Sequence, residues 1–285
     1  MEKSGESKLI MITGCNKGVG FGILENLATN NPNYRFLAAV RSIKRGEEAL
    51  ENLKQVVPNI HERVSLKELD ISKSKSIDEF VNWIKEHGVK IDCLVNNAGI
   101  AVHTSKVDPK VVEETFQTNV YGTIDLTEKL LPFISDNGKI VNVTDDAATF
   151  GTLKSSEYQK KLQSASLSKD DLLNVAKEYH DKIAAHHPGF LEYPFPKENY
   201  PVYYFSKLLL SVYSRILSNY SDIKKRGIQV YSCSPGWTKT DIGGPGAERT
   251  IQEGAICPAN VINLPWKFNE SLQGKLFVNS EPMNL

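Results

Sequence analysis

Residues 9–20 read Leu9-Ile-Met-Ile-Thr-Gly-Cys-Asn-Lys-Gly-Val-Gly20, an apolar run that breaks into three glycines. From about 19 to 30 the chain then places apolar residues at spacings of three and four, the period of a helix with one buried face. A strand that turns sharply on glycines into a helix lets backbone approach a ligand closely. It also aims the unbonded N–H groups of the helix start at an anion. The stretch therefore predicts the first βα turn of a dinucleotide-binding unit, with Gly14, Asn16, Lys17, Gly18, Val19 and Gly20 as cofactor-binding candidates. An ordinary strand-to-helix turn is the alternative.

The pattern continues outward. Apolar runs at 9–13, 35–40, 64–69, 91–96, 139–143, 228–232 and 275–278 read as strands, and segments at about 19–30, 44–57, 75–87, 110–134 and 202–221 read as helices. Such alternation predicts an α/β fold, a doubly wound parallel sheet of Rossmann type. No Pro-, Gly- or Ser-rich linker divides residues 1–285, so one domain is expected. Residues 152–200 break the alternation and read as a helical insertion. There Ser168-Lys-Asp-Asp171 forms a capping box, and Leu172, Ala176, Tyr179 and Ile183 share one helical face. Turns are expected at Pro188-Gly189 and Pro194-Phe-Pro196.

Composition narrows the function. The chain has 285 residues, 40% hydrophobic and 24% charged, enough for a large core. Its 34 basic and 34 acidic residues cancel, which leaves no single-sign field to gather nucleic acid or an anionic membrane. Cys15, Cys93, Cys233 and Cys257 are scattered without a C-x-x-C pair, so neither disulfide framework nor structural zinc is expected, and six histidines lack ligand spacing. The first residues contain no apolar signal core, and no run reaches the length of a membrane span. A cytoplasmic protein is expected.

At the end of the second predicted strand stands Val40-Arg41-Ser42. An acid there would bind the ribose hydroxyls of NAD, whereas Arg41, with Lys17, suits a 2′-phosphate, so NADP(H) is favoured. Further on, Tyr203-Tyr-Phe-Ser-Lys207 opens a long helix. Residues four apart share a face, and an ammonium beside a phenol lowers the phenol pKa, which makes Tyr203 a candidate acid or base. Tyr193 with Lys197 and Tyr220 with Lys224 repeat the spacing, but the first is followed by prolines and the second falls at a helix end.

Taken in order, Thr13-Gly14-x-x-x-Gly18-x-Gly20, Asp70, Asn96-Asn-Ala-Gly99, Asn119 in Thr118-Asn-Val-Tyr-Gly122, Tyr203-x-x-x-Lys207 and Pro235-Gly-Trp-Thr-Lys-Thr240 resemble the short-chain dehydrogenase/reductases over nearly the whole chain. Within that family the chain is most similar to the monomeric carbonyl reductases, which share the Asn-Lys-Gly turn, the Pro-Gly-Trp motif and a long insertion before the tyrosine. The resemblance implies NADPH-dependent reduction of a small carbonyl substrate, a ketone, aldehyde or quinone, by a monomer. It implies that Asp70 and Ile71 border the adenine, that Asn96 to Gly99, including Asn97, Ala98 and Gly99, line the cofactor, and that Pro235, Gly236, Trp237, Thr238 and Thr240 hold the nicotinamide amide. Tyr203 would give the proton, Lys207 would lower its pKa and hold the ribose, and Asn119, in mid-helix, would hold a water that relays protons. Trp237 is either a substrate wall or a partly buried core aromatic.

One position departs from the pattern. Where the family's strand delivers a serine to the substrate oxygen, Ile140-Val-Asn-Val-Thr-Asp-Asp146 places Asp145, and an ionised carboxylate repels the charge that a serine would stabilise. Asp145 could remain protonated and donate, Thr144 or Asp146 could face the site instead, or the acid could bind a cation or hydroxyl on the substrate. Both acids could also be solvated loop residues. An NADP-binding sensor or interaction protein of weak activity is thus the alternative function.

Overall fold

The computed structural model describes residues 7–102, 108–153, 155–185 and 201–285. The turns expected at Pro188-Gly189 and Pro194-Phe-Pro196, and the Tyr193–Lys197 pair, lie outside the described residues. The first half of the fold runs β1 (Lys8–Thr13), α1 (Gly18–Asn30), β2 (Tyr34–Val40), α2 (Ile43–Lys54), α3 (Ile60–Arg63), β3 (Val64–Glu68), α4 (Ser74–Glu86) and β4 (Ile91–Asn96). The second half runs α5 (Pro109–Phe116), a π-helical turn at Gln117–Gly122, α6 (Thr123–Leu130), β5 (Ile134–Val143), α7 (Ser156–Gln163), α8 (Lys169–Ala184), α9 (Pro201–Leu217), α10 (Ser221–Lys225), β6 (Gln229–Cys233), α11 (Ile251–Ile262), β7 (Leu276–Val278) and β8 (Glu281–Met283).

The sheet order is β3-β2-β1-β4-β5-β6-β7-β8, parallel except for the β7–β8 hairpin. From β1 the chain winds outward through β2 and β3, then returns to β4 on the other side. That reversal opens a crevice at the strand ends, where the glycine turn after β1 and the turn after β4 face each other. Both faces of the sheet are covered, which explains why the strands read as continuous apolar runs. In β1, Met11 joins the core beneath α4, α5, α6, α8 and α9, while Ile10 and Ile12 join the core beneath α1, α2 and α11.

The helix expected over 110–134 is not one helix. Asp108 caps α5 by accepting from the Val111 N–H (3.0 Å), the π turn interrupts the helix at Gln117, and Pro132 sits in a 3₁₀ turn that ends it. Ile134 already pairs with Ile91, ahead of a bulge that delays regular pairing to Lys139. The helix expected over 202–221 ends at Leu217, and α11 was not anticipated: Gly254 and Pro258 obscure its period, although Thr250 and Glu253 form its capping box.

The expected insertion helix is α8, with its Ser168–Asp171 capping box. Leu172, Val175, Ala176, Tyr179 and Ile183 are buried. This face lies on α5 and α9, where Tyr179 packs its ring against Phe116 (5.7 Å) and Phe205 (4.7 Å). Lys169 Nζ pairs with Glu128 at 3.2 Å, and the other Glu128 oxygen accepts from the Tyr213 and Tyr220 hydroxyls at 2.8 and 3.1 Å. Among the described residues no helix is long and apolar enough to cross a membrane.

Candidate active site

The glycine turn is braced from β4. Gly14 and Gly18 hold φ of 67° and 58°, left-handed values that favour glycine. A Cβ on Gly20 would lie 2.3 Å from Asn97 Nδ2, because Asn97 reaches under the turn and donates to Thr13 O (2.9 Å) and Gly14 O (3.1 Å). Thr13 Oγ1 accepts from the N–H groups of Asn97 and Ala98 at 3.1 and 3.0 Å. The side chain of Asn97 thus serves the turn itself, and Thr13 is a brace whose role the sequence did not announce. At the start of α1 no side chain caps the first-turn N–H groups, so the donors that suit a pyrophosphate are free of side-chain competition.

Around this cradle the other cofactor candidates fall unevenly. Arg41 is exposed at the end of β2, and Ser42 caps α2 by accepting from the Arg45 N–H at 3.4 Å. Lys17 makes an ion pair with Asp241, both side chains being mostly exposed. Burial works against ionisation of Asp70, yet the Ser72 hydroxyl (2.7 Å) and N–H (3.1 Å) and the Lys73 ammonium hold its carboxyl below the ordinary value. Two side chains turn away from the crevice. The Ile71 side chain is buried in the core (4% exposed). Asn96, the last residue of β4, points inward and donates to Thr127 (2.9 Å) and Asn142 (2.8 Å), so neither side chain lines the crevice.

The catalytic candidates meet where β5 ends. On α9 the Lys207 Nζ lies 5.6 Å from the Tyr203 ring centroid and donates to Val143 O at 2.8 Å. From the π turn, Asn119 Nδ2 donates to Ile100 O (2.8 Å) and to Ser206 Oγ (3.0 Å), while its Oδ1 accepts from the Ile100 N–H (2.9 Å). Ser206 in turn donates to Tyr203 O at 2.6 Å. A Cβ on Gly99 would sit 3.2 Å from Asn119 Oδ1 and 3.4 Å from Lys207 Nζ, so the turn after β4 closes against both. The Asn119 side chain is therefore a tie between Ile100 and α9. The residue lies in a π turn, not the regular helix expected, and its side-chain amide is engaged by Ile100 and Ser206.

Among the acids of 140–146, Asp145 faces the site. Its Oδ1 accepts from the Ala147 N–H at 2.8 Å. Burial pushes its carboxyl up to about 6; Asp146 adds to this, while the Ala147 N–H and Lys207 oppose it. Lys207 is lowered to about 8 by burial, against the pull of Asp145. Tyr203 keeps some exposed surface, but the protein around its phenol, then Asp145, then Tyr204, hold it well above its ordinary value. The Lys207 ammonium, expected to lower the phenol, is turned to Val143 O, and burial is the largest influence on the phenol. Thr144 is 1% exposed, and its hydroxyl has no hydrogen-bond partner among the described residues. Asp146 is exposed and accepts from the Ser234 hydroxyl at 3.0 Å.

The 235–240 loop folds on itself. Thr238 is buried and donates to Pro235 O and Gly236 O (3.2 and 3.1 Å), and Thr240 Oγ1 accepts from the Gly243 N–H (3.0 Å). Trp237 is 52% exposed, its Nε1 donating to Gly243 O at 2.8 Å, which removes the core-aromatic reading. Arg249 was missed, since no motif marks it; its guanidinium lies against Gly236 and donates to Pro235 O at 3.2 Å. Cys15 is buried and burial pushes its thiol up to about 12, which makes it inert. Among the described residues no group of three or more His, Cys, Asp or Glu could hold a metal.

Comparison with known proteins adds three findings. A family model described as short chain dehydrogenase matches residues 8–166. The chain is 33% identical over 273 residues to carbonyl reductase (NADPH) 1 of Mus musculus, covering 92% of this chain and 93% of that protein. Among solved structures it is similar to salutaridine reductase from Papaver somniferum, with a TM-score of 0.80 and 25% identity over 95% of this chain and 99% of that one. An NADPH-bound carbonyl reductase from chicken fatty liver shares the fold at a TM-score of 0.69 and 21% identity, over 96% and 97% of the two chains.

Proposed function

The chain belongs to the short chain dehydrogenase family, and on that premise we propose that it reduces a small, fairly apolar ketone, aldehyde or quinone at the end of β5. It is an NADP-dependent oxidoreductase, and NADP(H) is its cofactor. When bound, NADPH supplies the hydride. The uncapped start of α1, Arg41 and the turn after β4 would bind it, and Pro235 to Thr240 would hold its nicotinamide end.

The remaining chemistry is proton handling by this chain. Tyr203 Oη gives its proton to the carbonyl oxygen, and a phenol held well above its ordinary pKa is fully protonated at neutral pH. Lys207, at about 8, is protonated at neutral pH and compensates the phenolate as the proton leaves. Asp145 occupies the serine position and in its neutral form donates to the same oxygen, as a carboxyl kept protonated by its surroundings can. Asn119 and Ser206 fix the start of α9, and Trp237 serves as a substrate wall. The α8 cover on α5 and α9 supports a monomer, and the free, buried cysteines support a reducing, cytoplasmic location.

The observation that carries this reading is the meeting of Tyr203, Lys207 and Asp145 beside Val143 O. A second reading, an NADP-binding sensor with little turnover, is favoured by the carboxyl at the serine position, which is mostly ionised at neutral pH. NADPH oxidation with a panel of ketones, aldehydes and quinones at pH 5.5 and 7.5 tests both. Turnover that Tyr203→Phe abolishes supports the reductase; tight NADPH binding without turnover at either pH supports the sensor.

A further inference from the structure

We propose that Asp146 is a positioning residue that, through Ser234, latches the loop after β6 to the segment carrying Asp145, and so fixes where the nicotinamide sits relative to the proton donors. This rests on the cofactor reading above. Asp145 and Asp146 are neighbours aimed apart: one meets Tyr203 and Lys207, the other meets Ser234. Ser234, 1% exposed, accepts from the Gly236 N–H at 3.0 Å and so turns its own proton to Asp146 Oδ1, also at 3.0 Å. The relay from carboxylate to hydroxyl to amide ends on the glycine that turns the loop, at φ 67°.

From the other side the same glycine meets Arg249, whose guanidinium carbon would lie 2.5 Å from a Cβ there. Arg249 Nη2 is anchored on Asn279 Oδ1 at 2.7 Å. Gly236 is thus gripped between a cation fixed to the β7–β8 turn and an anion fixed to the end of β5. Hydride transfer depends steeply on the placement of the two reacting carbons. Without Asp146 the loop would keep its backbone bonds to Phe277 and Arg249 but lose this side-chain tie to the segment that carries Asp145.

The test compares binding of NADPH with binding of 2′-monophosphoadenosine 5′-diphosphoribose, which lacks the nicotinamide, by fluorescence and calorimetric titration of wild type, Asp146→Ala, Asp146→Asn and Ser234→Ala. Loss of one hydrogen bond to a charged group should weaken NADPH binding roughly tenfold in Asp146→Ala and Ser234→Ala and lower kcat. The fragment should bind all variants alike, and Asp146→Asn, whose amide oxygen still accepts, should restore most of the NADPH affinity. Equal weakening of both ligands, or NADPH binding and kcat unchanged in both alanine variants, overturns the latch. A wild type that binds neither ligand overturns the cofactor reading instead.

Discussion

Replacing Asp145 separates the reductase from an impaired relative. Its carboxyl titrates at about 6, so at pH 7 about one molecule in ten carries the neutral donor, and at pH 5 most do. Loss of one donor to a developing oxyanion costs about 10²–10³ in rate, so turnover of an uncharged ketone should come almost entirely from the protonated fraction. We expect kcat/KM of the wild type to fall about fivefold between pH 6 and 7. Asp145→Ser carries a donor that does not titrate; it should match the wild type near pH 5 and exceed it about tenfold at pH 7. Removing the anion also withdraws support from the Lys207 charge, so the comparison is confined to pH 5–7.

Stability must move with the same titration. The folded carboxyl lies above its ordinary 3.8, so its favourable contribution is complete below pH 3.8 and lost as pH rises through about 6. Above that, the buried charge costs about 3 kcal/mol, and Asp145→Asn should be more stable by up to that amount at pH 8, with no gain at pH 4. Stopped-flow NADPH oxidation and urea unfolding of the cofactor-free protein measure the two effects. A wild-type profile flat across pH 5–7, or an Asp145→Ser profile that keeps the wild-type slope, refutes the neutral-donor argument.

Two further predictions concern other cations. Asp241→Asn releases Lys17 from an exposed ion pair; NADPH affinity should rise about two- to fivefold at low salt, and the gain should vanish near 0.5 M salt. Unchanged affinity would place Lys17 away from the phosphate. Lys139, fully buried, donates to Ile262 O at 2.7 Å and to Leu264 O and lies 4.1 Å from the Trp266 ring centroid. Lys139→Met would leave those carbonyls unsatisfied, and after relief of the buried charge a net loss of about 2 kcal/mol in urea unfolding is expected. A variant as stable as the wild type would show that the desolvation cost had cancelled the bonds.

The fold was legible where one physical signal dominated. Strands sealed on both faces gave apolar runs with boundaries correct within one or two residues, except β5, whose bulge hid Ile134. Helix α11 escaped because Gly254 is there for close contact, a Cβ lying 2.3 Å from Thr238 Oγ1, and not for helix propensity. At the site, Lys207 lies beside the Tyr203 ring as their spacing implied, and Asp145 stands near them where only the family resemblance had put it. What spacing cannot carry is surroundings: the phenol is governed first by burial and then by Asp145, while the Lys207 ammonium turns to Val143 O, 64 positions away. Arg249 and Ser234 were invisible for the same reason.

The mouth of the crevice is stitched from segments more than 200 positions apart. Gly18 would place a Cβ 3.3 Å from Thr240 Cγ2, Lys17 bonds Asp241 across 224 positions, and α1 lies along α11. The dinucleotide cradle is therefore complete only when the segment around Thr240 and α11 has folded back onto the turn after β1.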